Sequence, residues 1–216
     1  MPASAIHMSV ANIINKKLKR PSFEFTIGNI APDCWRHSLL HNDKHLSHFS
    51  TDTEINGIKM KIENYEKFIE KYKNKLDDPF VLGYLTHLMT DNYWKKNVIT
   101  RYQKLIDGEI ALKTLDNNYI FGNIETIKEY LHINNEIATI NISSHFNLKP
   151  ITLDRQVKCI VEEIDLSGLI KSVEHINKVN FKKTDEKSII YNMEDLYQDI
   201  IDCSSYILKE LENLSI

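Results

Sequence analysis

Glycine and proline are scarce. The 216 residues hold 6 Gly and 5 Pro, too few to punctuate the many short strands and tight turns of a sandwich or barrel. Cysteine is scarcer still: Cys34, Cys159 and Cys203 are odd in number and far apart, which argues against a disulfide framework and for reduced thiols in a reducing compartment. Nothing approaches the roughly 18 continuous apolar residues of a membrane span, and no charged leader with an apolar core opens the chain. A cytoplasmic protein without a transmembrane segment is the expectation. Surplus positive charge is missing as well. A formal net charge of −3 is not the concentrated Lys/Arg excess with which a duplex-DNA binder displaces counterions. The clearest basic patch, Lys16, Lys17, Lys19 and Arg20, reads as a solvated helix end complementing its own dipole.

What is present describes a globular, helical protein. With 42% hydrophobic and 26% charged residues the chain can build one sizeable core, and a single all-α domain over 1–216 is expected. Ile6, Val10, Ile13, Ile14 and Leu18 form one helical stripe over 5–18. An apolar segment, 23–30, is then broken at Ala31-Pro32-Asp33, because a residue before proline is pushed away from the α region. A His-rich stretch runs from His37 to His48, where His37, His41 and His45 recur at steps of four and would share a helical face. Asn56-Gly57 marks a turn. A charged amphipathic helix is expected over 62–76, then a new start at Pro79. The most apolar long helix follows, 80 to about 106, and should be the buried centre. Further helical periodicity covers 124–131, 136–146, 153–164, 166–179 and 189–214, with 182–187 as a connection.

His87 and Asp91 are the strongest local signal. Four residues apart on the most apolar helix, they project from one face within reach of a shared ion. An ionised Asp in such a helix costs several kcal/mol unless it is paired or metal-bound. A neutral core His hydrogen-bonded to a structural carboxylate would give the same pattern. His7 opens an otherwise apolar stripe, Asp33 stands at the end of the Pro32 break, and His48 lies in Lys44-His45-Leu46-Ser47-His48-Phe49. Each is unexceptional alone.

Together they occur in order within Gly28-Asn29-Ile30-Ala31-Pro32-Asp33, Ser47-His48-Phe49 and Gly83-Tyr84-Leu85-Thr86-His87-Leu88-Met89-Thr90-Asp91, followed by Trp94. This series, over about the first hundred residues, resembles the zinc-dependent phospholipase C family, whose fold is shared with zinc-type single-strand nucleases. The resemblance implies an all-α fold of the phospholipase C/nuclease type. It also implies metal ligation by His7, Asp33, His48, His87 and Asp91, with Asp91 placed to bridge two ions. Three departures accompany it. Trinuclear members ligate through an N-terminal Trp, where this chain reads Met1-Pro2-Ala3. They carry a further His six residues after the bridging Asp, at the position of Asn97. A later His/acid pair four apart is matched only by His132 and Glu136, farther along than expected. One or two ions, without the third, follow from these departures.

Imidazole and carboxylate ligands suit Zn²⁺, with Mn²⁺ or Fe²⁺ as alternatives. A bound ion lowers the pKa of its water toward ~7 and so offers hydroxide at neutral pH. Asp33 and Asp91 are the candidate catalytic groups, able to take a proton as well as hold metal. The function expected is a phospholipase C-like phosphodiesterase or other metal-dependent hydrolase of a small phosphoester or phospholipid. A nuclease or phosphatase on the same scaffold, or a non-catalytic protein that keeps its metal as a folding clip, are the alternatives. Trp35 and Trp94 flank two of the motifs as pocket-wall or core residues. Tyr84, Asn92 and Tyr93 neighbour His87 and Asp91, and Cys34 neighbours Asp33.

Overall fold

A computed structural model of the chain describes residues 3–18, 22–41, 43–55, 58–98, 112–113, 119–120, 124–153, 160–188 and 191–215. It is mostly helical. The elements are α1 (Ser4–Asn15), α2 (Phe23–Ile30), a 3₁₀ helix (Ala31–His37), α3 (Lys44–His48), β1 (Ser50–Ile55), β2 (Ile58–Glu63), α4 (Tyr65–Tyr72) and a short 3₁₀ turn (Lys73–Lys75). There follow α5 (Pro79–Asn97), β3 (Leu112–Lys113), β4 (Tyr119–Ile120), α6 (Ile124–His145), α7 (Leu166–Asn180) and α8 (Met193–Asn213). Among the described residues no helix is long and apolar enough to cross a membrane.

α5 is the centre. Asp78 caps it by accepting from the Phe80 and Val81 N–H groups, and Pro79 occupies its first turn, where a missing N–H costs nothing. It is buried on every side, from Phe80 and Val81 through Trp94, as befits a helix with no polar face. α1 packs through the stripe read from its sequence, with Ile6, Val10 and Ile14 buried. α2 crosses α5 at backbone contact. A Cβ built on Gly28 would stand 2.0 Å from the Phe80 carbonyl oxygen, and one on Gly83 would stand 2.0 Å from that of Phe25. Only two glycines facing each other's backbones permit this approach.

Several expectations are corrected by the tertiary structure. Pro32 does not break the chain out of helical conformation: Ala31 stays at φ −61°, ψ −39°. The chain tightens into the 3₁₀ helix, with Pro32 in its first turn where no N–H is required. His37, His41 and His45 share no helical face, because Ser38 accepts from the Leu40 and His41 N–H groups and Asp43 starts a new helix by capping His45. The polar segment after His48 is a β-hairpin, Ser50 pairing with Glu63 and Ile55 with Ile58. Its Asn56-Gly57 turn lies outside the described residues. The hairpin claims Ile62 and Glu63, so α4 begins only at Tyr65. It is tied to α5 where Asn92 Nδ2 donates to the Glu63 carbonyl at 2.8 Å and Lys95 Nζ to the Lys61 carbonyl at 2.7 Å, Lys95 also pairing with the Glu63 carboxylate.

Farther on, Ile124–His145 is one continuous helix rather than the two expected over 124–131 and 136–146. The described residues of 153–164 are not helical. Just before it, the Asn177 side chain binds both backbone groups of Ile151, at 2.9 and 2.7 Å, as a strand partner would, and Asp165 caps the following helix. α5 ends at Asn97 and α8 starts at Met193; residues 99–106 and 189–190 of the longer expected helices lie outside the described residues. Cys34 and Cys203 are buried and form no disulfide, and Cys159 lies outside the described residues.

Gly83→Ala tests the crossing. A helical Gly→Ala change alone gains about 1 kcal/mol, yet here the methyl meets backbone that cannot rotate away. A net loss of about 2 kcal/mol or more is expected in urea unfolding. A stability equal to or above that of the parent chain would remove the close contact as a constraint.

Candidate metal centre

Each of the five residues singled out above comes from a helical element abutting α5 or from α5 itself. α5 supplies His87 and Asp91, α1 supplies His7, the 3₁₀ helix supplies Asp33, and α3 ends on His48. Their polar atoms converge. Asp91 Oδ1 lies 3.2 Å from His7 Nε2, and its Oδ2 lies 3.6 Å from His48 Nε2 and 3.9 Å from His87 Nε2. Asp33 Oδ1 is 3.5 Å from His48 Nε2. The His7 and His87 rings stack at 3.8 Å. Two overlapping triads result, His7–Asp33–His87 and His48–His87–Asp91, each with its donor atoms within 4.8 Å of one another.

Hydrogen bonds behind the imidazoles set their tautomers. His87 Nδ1 donates to the Asn29 carbonyl at 2.7 Å, so in the neutral ring the proton sits on Nδ1 and Nε2 carries a lone pair. Ser47 Oγ donates to the Lys44 carbonyl at 3.3 Å and therefore has its lone pairs available to accept from His48 Nδ1 at 2.8 Å. His48 Nε2 is thus also a bare lone pair, and the two Nε2 atoms face each other at 3.4 Å. This is the outer-shell pattern that readies imidazole for a metal.

Burial sharpens the arrangement. His48, His87 and Asp91 are 0% exposed and His7 only 1%. Burial, aided by His7, pushes the His87 pKa down to about 3 against the pull of Asp91 and Asp33, so the ring is neutral at ordinary pH. Burial by itself would raise the Asp91 carboxyl, but the imidazoles of His7, His87 and His48 outweigh it and hold the group well below the usual carboxylate range. Asp91 is therefore an anion, yet neither of its oxygens makes a hydrogen bond, nor does either ring nitrogen of His7 or Oδ1 of Asp33. Buried polar groups left in this state cost about 1–3 kcal/mol each, and charged ones more. A cation among the facing lone pairs would relieve both Asp91 oxygens, Asp33 Oδ1 and one ring nitrogen of His7 at once. Three imidazoles and two carboxylates are a donor set that fits one or two divalent ions of the Zn²⁺ type.

A cleft of about 540 Å³ reaches the centre between α1, the 3₁₀ helix, α6 and α7, a size usual for small-molecule sites. His7, Asp33 and His87 line its floor, Trp94 its wall, and Arg36 and His175 its outer part. Asp33 keeps 21% of its side-chain surface, whereas Asp91 has none.

Other residues singled out from sequence fall elsewhere. His132 and Glu136 form an exposed pair 3.8 Å apart on α6, outside both triads. Asn97 is exposed and donates to the Tyr93 carbonyl, and Tyr93 packs on Tyr206. His45 is exposed beside Ser50 and Lys61. Tyr84 is useful indirectly: its hydroxyl donates to the Ser47 carbonyl at 2.5 Å, steadying the residue behind His48. Cys34 is buried next to Asp33 but belongs to neither triad. Arg36, His175 and Lys44 were not singled out. Lys44 is half-buried, its pKa lowered by burial and raised in part by Asp91. Only Arg36, three residues beyond Asp33, carried a signal that a local reading could have used.

No family model, curated protein or solved structure matches the chain.

His87→Ala and Asp91→Ala are expected to strip bound metal from the purified protein, whereas the exposed His132→Ala should keep it, as read by elemental analysis. Ser47→Ala removes the acceptor behind His48 and should weaken metal affinity by about 10–100-fold in a competitive chelator titration. Full metal content in both ligand variants would overturn the assignment of the site.

Proposed function

We propose that the chain is a metal-dependent hydrolase of phosphoester bonds, phospholipase C-like in its ligand set and chemistry. The observation that carries this reading is a buried, anionic Asp91 whose oxygens lack hydrogen bonds, set among three imidazoles, that of His87 neutral, at the floor of a cleft. The ordered motifs of the first hundred residues support the phospholipase C likeness, and a donor set of this kind supports Zn²⁺ as the ion, with Mn²⁺ or Fe²⁺ as alternatives. When bound, such ions supply Lewis acidity and a water acidic enough to ionise near neutral pH.

The protein's own groups divide the work by exposure. Asp91, sealed from solvent, neutralises bound cations and holds the three imidazoles around it. Asp33 is the one of the two carboxylates that lines the cleft, so it is the group able to take and return a proton at a carboxylate oxygen facing substrate. Asn29 and Ser47 keep the His87 and His48 lone pairs turned inward. The cleft wall, Ile6, Ile30 and Trp94 among it, excludes water and accommodates the apolar part of an ester.

A folding clip is the second reading, favoured by the complete burial of the His48–His87–Asp91 triad. The two readings separate in one assay. Hydrolysis of bis(p-nitrophenyl) phosphate is expected to appear with added Zn²⁺ or Mn²⁺, vanish with a chelator, and fall by about 10²-fold or more in Asp33→Asn. A melting temperature that rises with metal while no diester or monoester is hydrolysed would establish the clip and sink the hydrolase.

A further inference from the structure

The outer part of the cleft carries positive charge that the phosphoester chemistry at its floor does not use. Arg36 and His37 close the 3₁₀ helix, and α7 lies against that helix with His175 facing them. The His37 and His175 rings are 5.5 Å apart, and both line the cleft together with Arg36. Among the described residues the Arg36 guanidinium has no carboxylate partner; it rests over the Trp35 ring, 5.4 Å from the centroid. The carboxylate lining the cleft is Asp33 at its floor. Asp165, the acid nearest Ser38, is occupied by Ser38, Ser167 and the Gly168 N–H. Burial, with His175, Arg36 and Lys171 close by, lowers the pKa of His37, and its ring offers an N–H donor beside a permanent cation.

The spacing between floor and rim is set by the helix type. In a 3₁₀ helix residues i and i+3 eclipse, rising about 2 Å per residue, so Asp33 and Arg36 share a face on the order of 6 Å apart along the axis. A group held at the floor beside Asp33 and a second held at Arg36 are therefore within reach of one small scaffold. An unpaired guanidinium with two imidazoles opposite is built for a second oxyanion, which it can grip through two parallel N–H bonds. It would repel a quaternary ammonium.

We infer that Arg36, His37 and His175 form a subsite for a second phosphate, so that the preferred substrates are phosphoesters bearing another phosphate beside the scissile one, rather than esters with a neutral or cationic headgroup. This rests on the phosphoester reading above for the floor of the cleft, but the subsite has its own measurement.

Isothermal titration of the metal-loaded full chain would compare D-myo-inositol 4,5-bisphosphate with D-myo-inositol 4-phosphate, with bis(p-nitrophenyl) phosphate turnover measured in parallel on the parent protein. The bisphosphate is expected to bind at least 10-fold more tightly to the parent. That preference should fall below threefold in Arg36→Gln and in His175→Gln, each checked for unchanged metal content. Equal affinities for the two probes in the parent, or an undiminished preference in Arg36→Gln, would overturn the subsite. A preserved bisphosphate preference without any diester turnover would support the subsite and sink the hydrolase. Turnover without a preference would do the reverse.

Discussion

The backbone-to-backbone crossing of α2 and α5 is the constraint from which the centre follows. Gly28 and Gly83 each present bare Cα to the other helix's carbonyl, and side chains of any size at those positions would hold the helices apart. At this separation the last turn of α2 delivers the Asn29 carbonyl to His87 Nδ1. Two residues later the chain enters the 3₁₀ helix, whose tighter pitch carries Asp33 round to the same cleft. Widening the crossing would cost His87 its orienting acceptor and move Asp33 off the centre together. Structure and site are thus coupled through two hydrogen atoms in place of side chains.

The cost of that arrangement falls on α5, which must bury an anion. Its burial on all sides rules out solvent as a partner for Asp91, and hydrogen bonding does not replace solvent, since both oxygens go without. The Asp91 carboxyl is nonetheless held well below the usual carboxylate range, its contact with His7 first among the groups that lower it, and His87 is neutral, so an anion and an inward-facing lone pair meet in the interior. Such a balance is poor as a purely structural core. Protein interiors that need a filler at this position do better with an apolar residue, whereas a divalent ion would turn most of the unsatisfied groups into ligands.

Local readings of sequence succeeded where the relevant geometry is local. The four-residue step from His87 to Asp91 defines a shared helix face whatever the fold, and the stripe of α1 places His7 inward with Ile6 and Val10. The Asn29 and Asp33 motif was legible as a unit, although its conformation was not. Pro32 was read as a break because its effect on Ala31 is usually dominant, and packing of α2 on α5 overrode it. The hairpin was hidden for another reason: its strands are polar and short, so neither face alternates strongly enough to outvote helical neighbours, and its fixation to α5 through Asn92 and Lys95 is long-range. Asn177 binding Ile151 is likewise long-range, a side chain 26 residues away fixing the chain just before 153–164. His175 lay on an ordinary amphipathic helix, and only the packing of α7 on the 3₁₀ helix gives it His37 as a neighbour.

Exposure then sorts otherwise similar groups into different duties. Asp33 and Asp91 have the same chemistry, and both meet His48 at 3.5–3.6 Å. Asp91 has no surface and is encircled by imidazoles, so moving a proton on or off it would leave the charge of the whole centre uncompensated in a medium of low dielectric. Asp33 has one side in the cleft, where solvent and substrate can share that change. The same logic extends outward along the 3₁₀ helix. Arg36 is fully at the rim, where its charge costs little to maintain without a partner, yet the Trp35 ring beneath it restricts where the guanidinium can point. With cations bound at the floor, an anion drawn to the Arg36 mouth would be held at both ends; this asymmetry, rather than the ligand set alone, would give the cleft a preferred direction for what it binds.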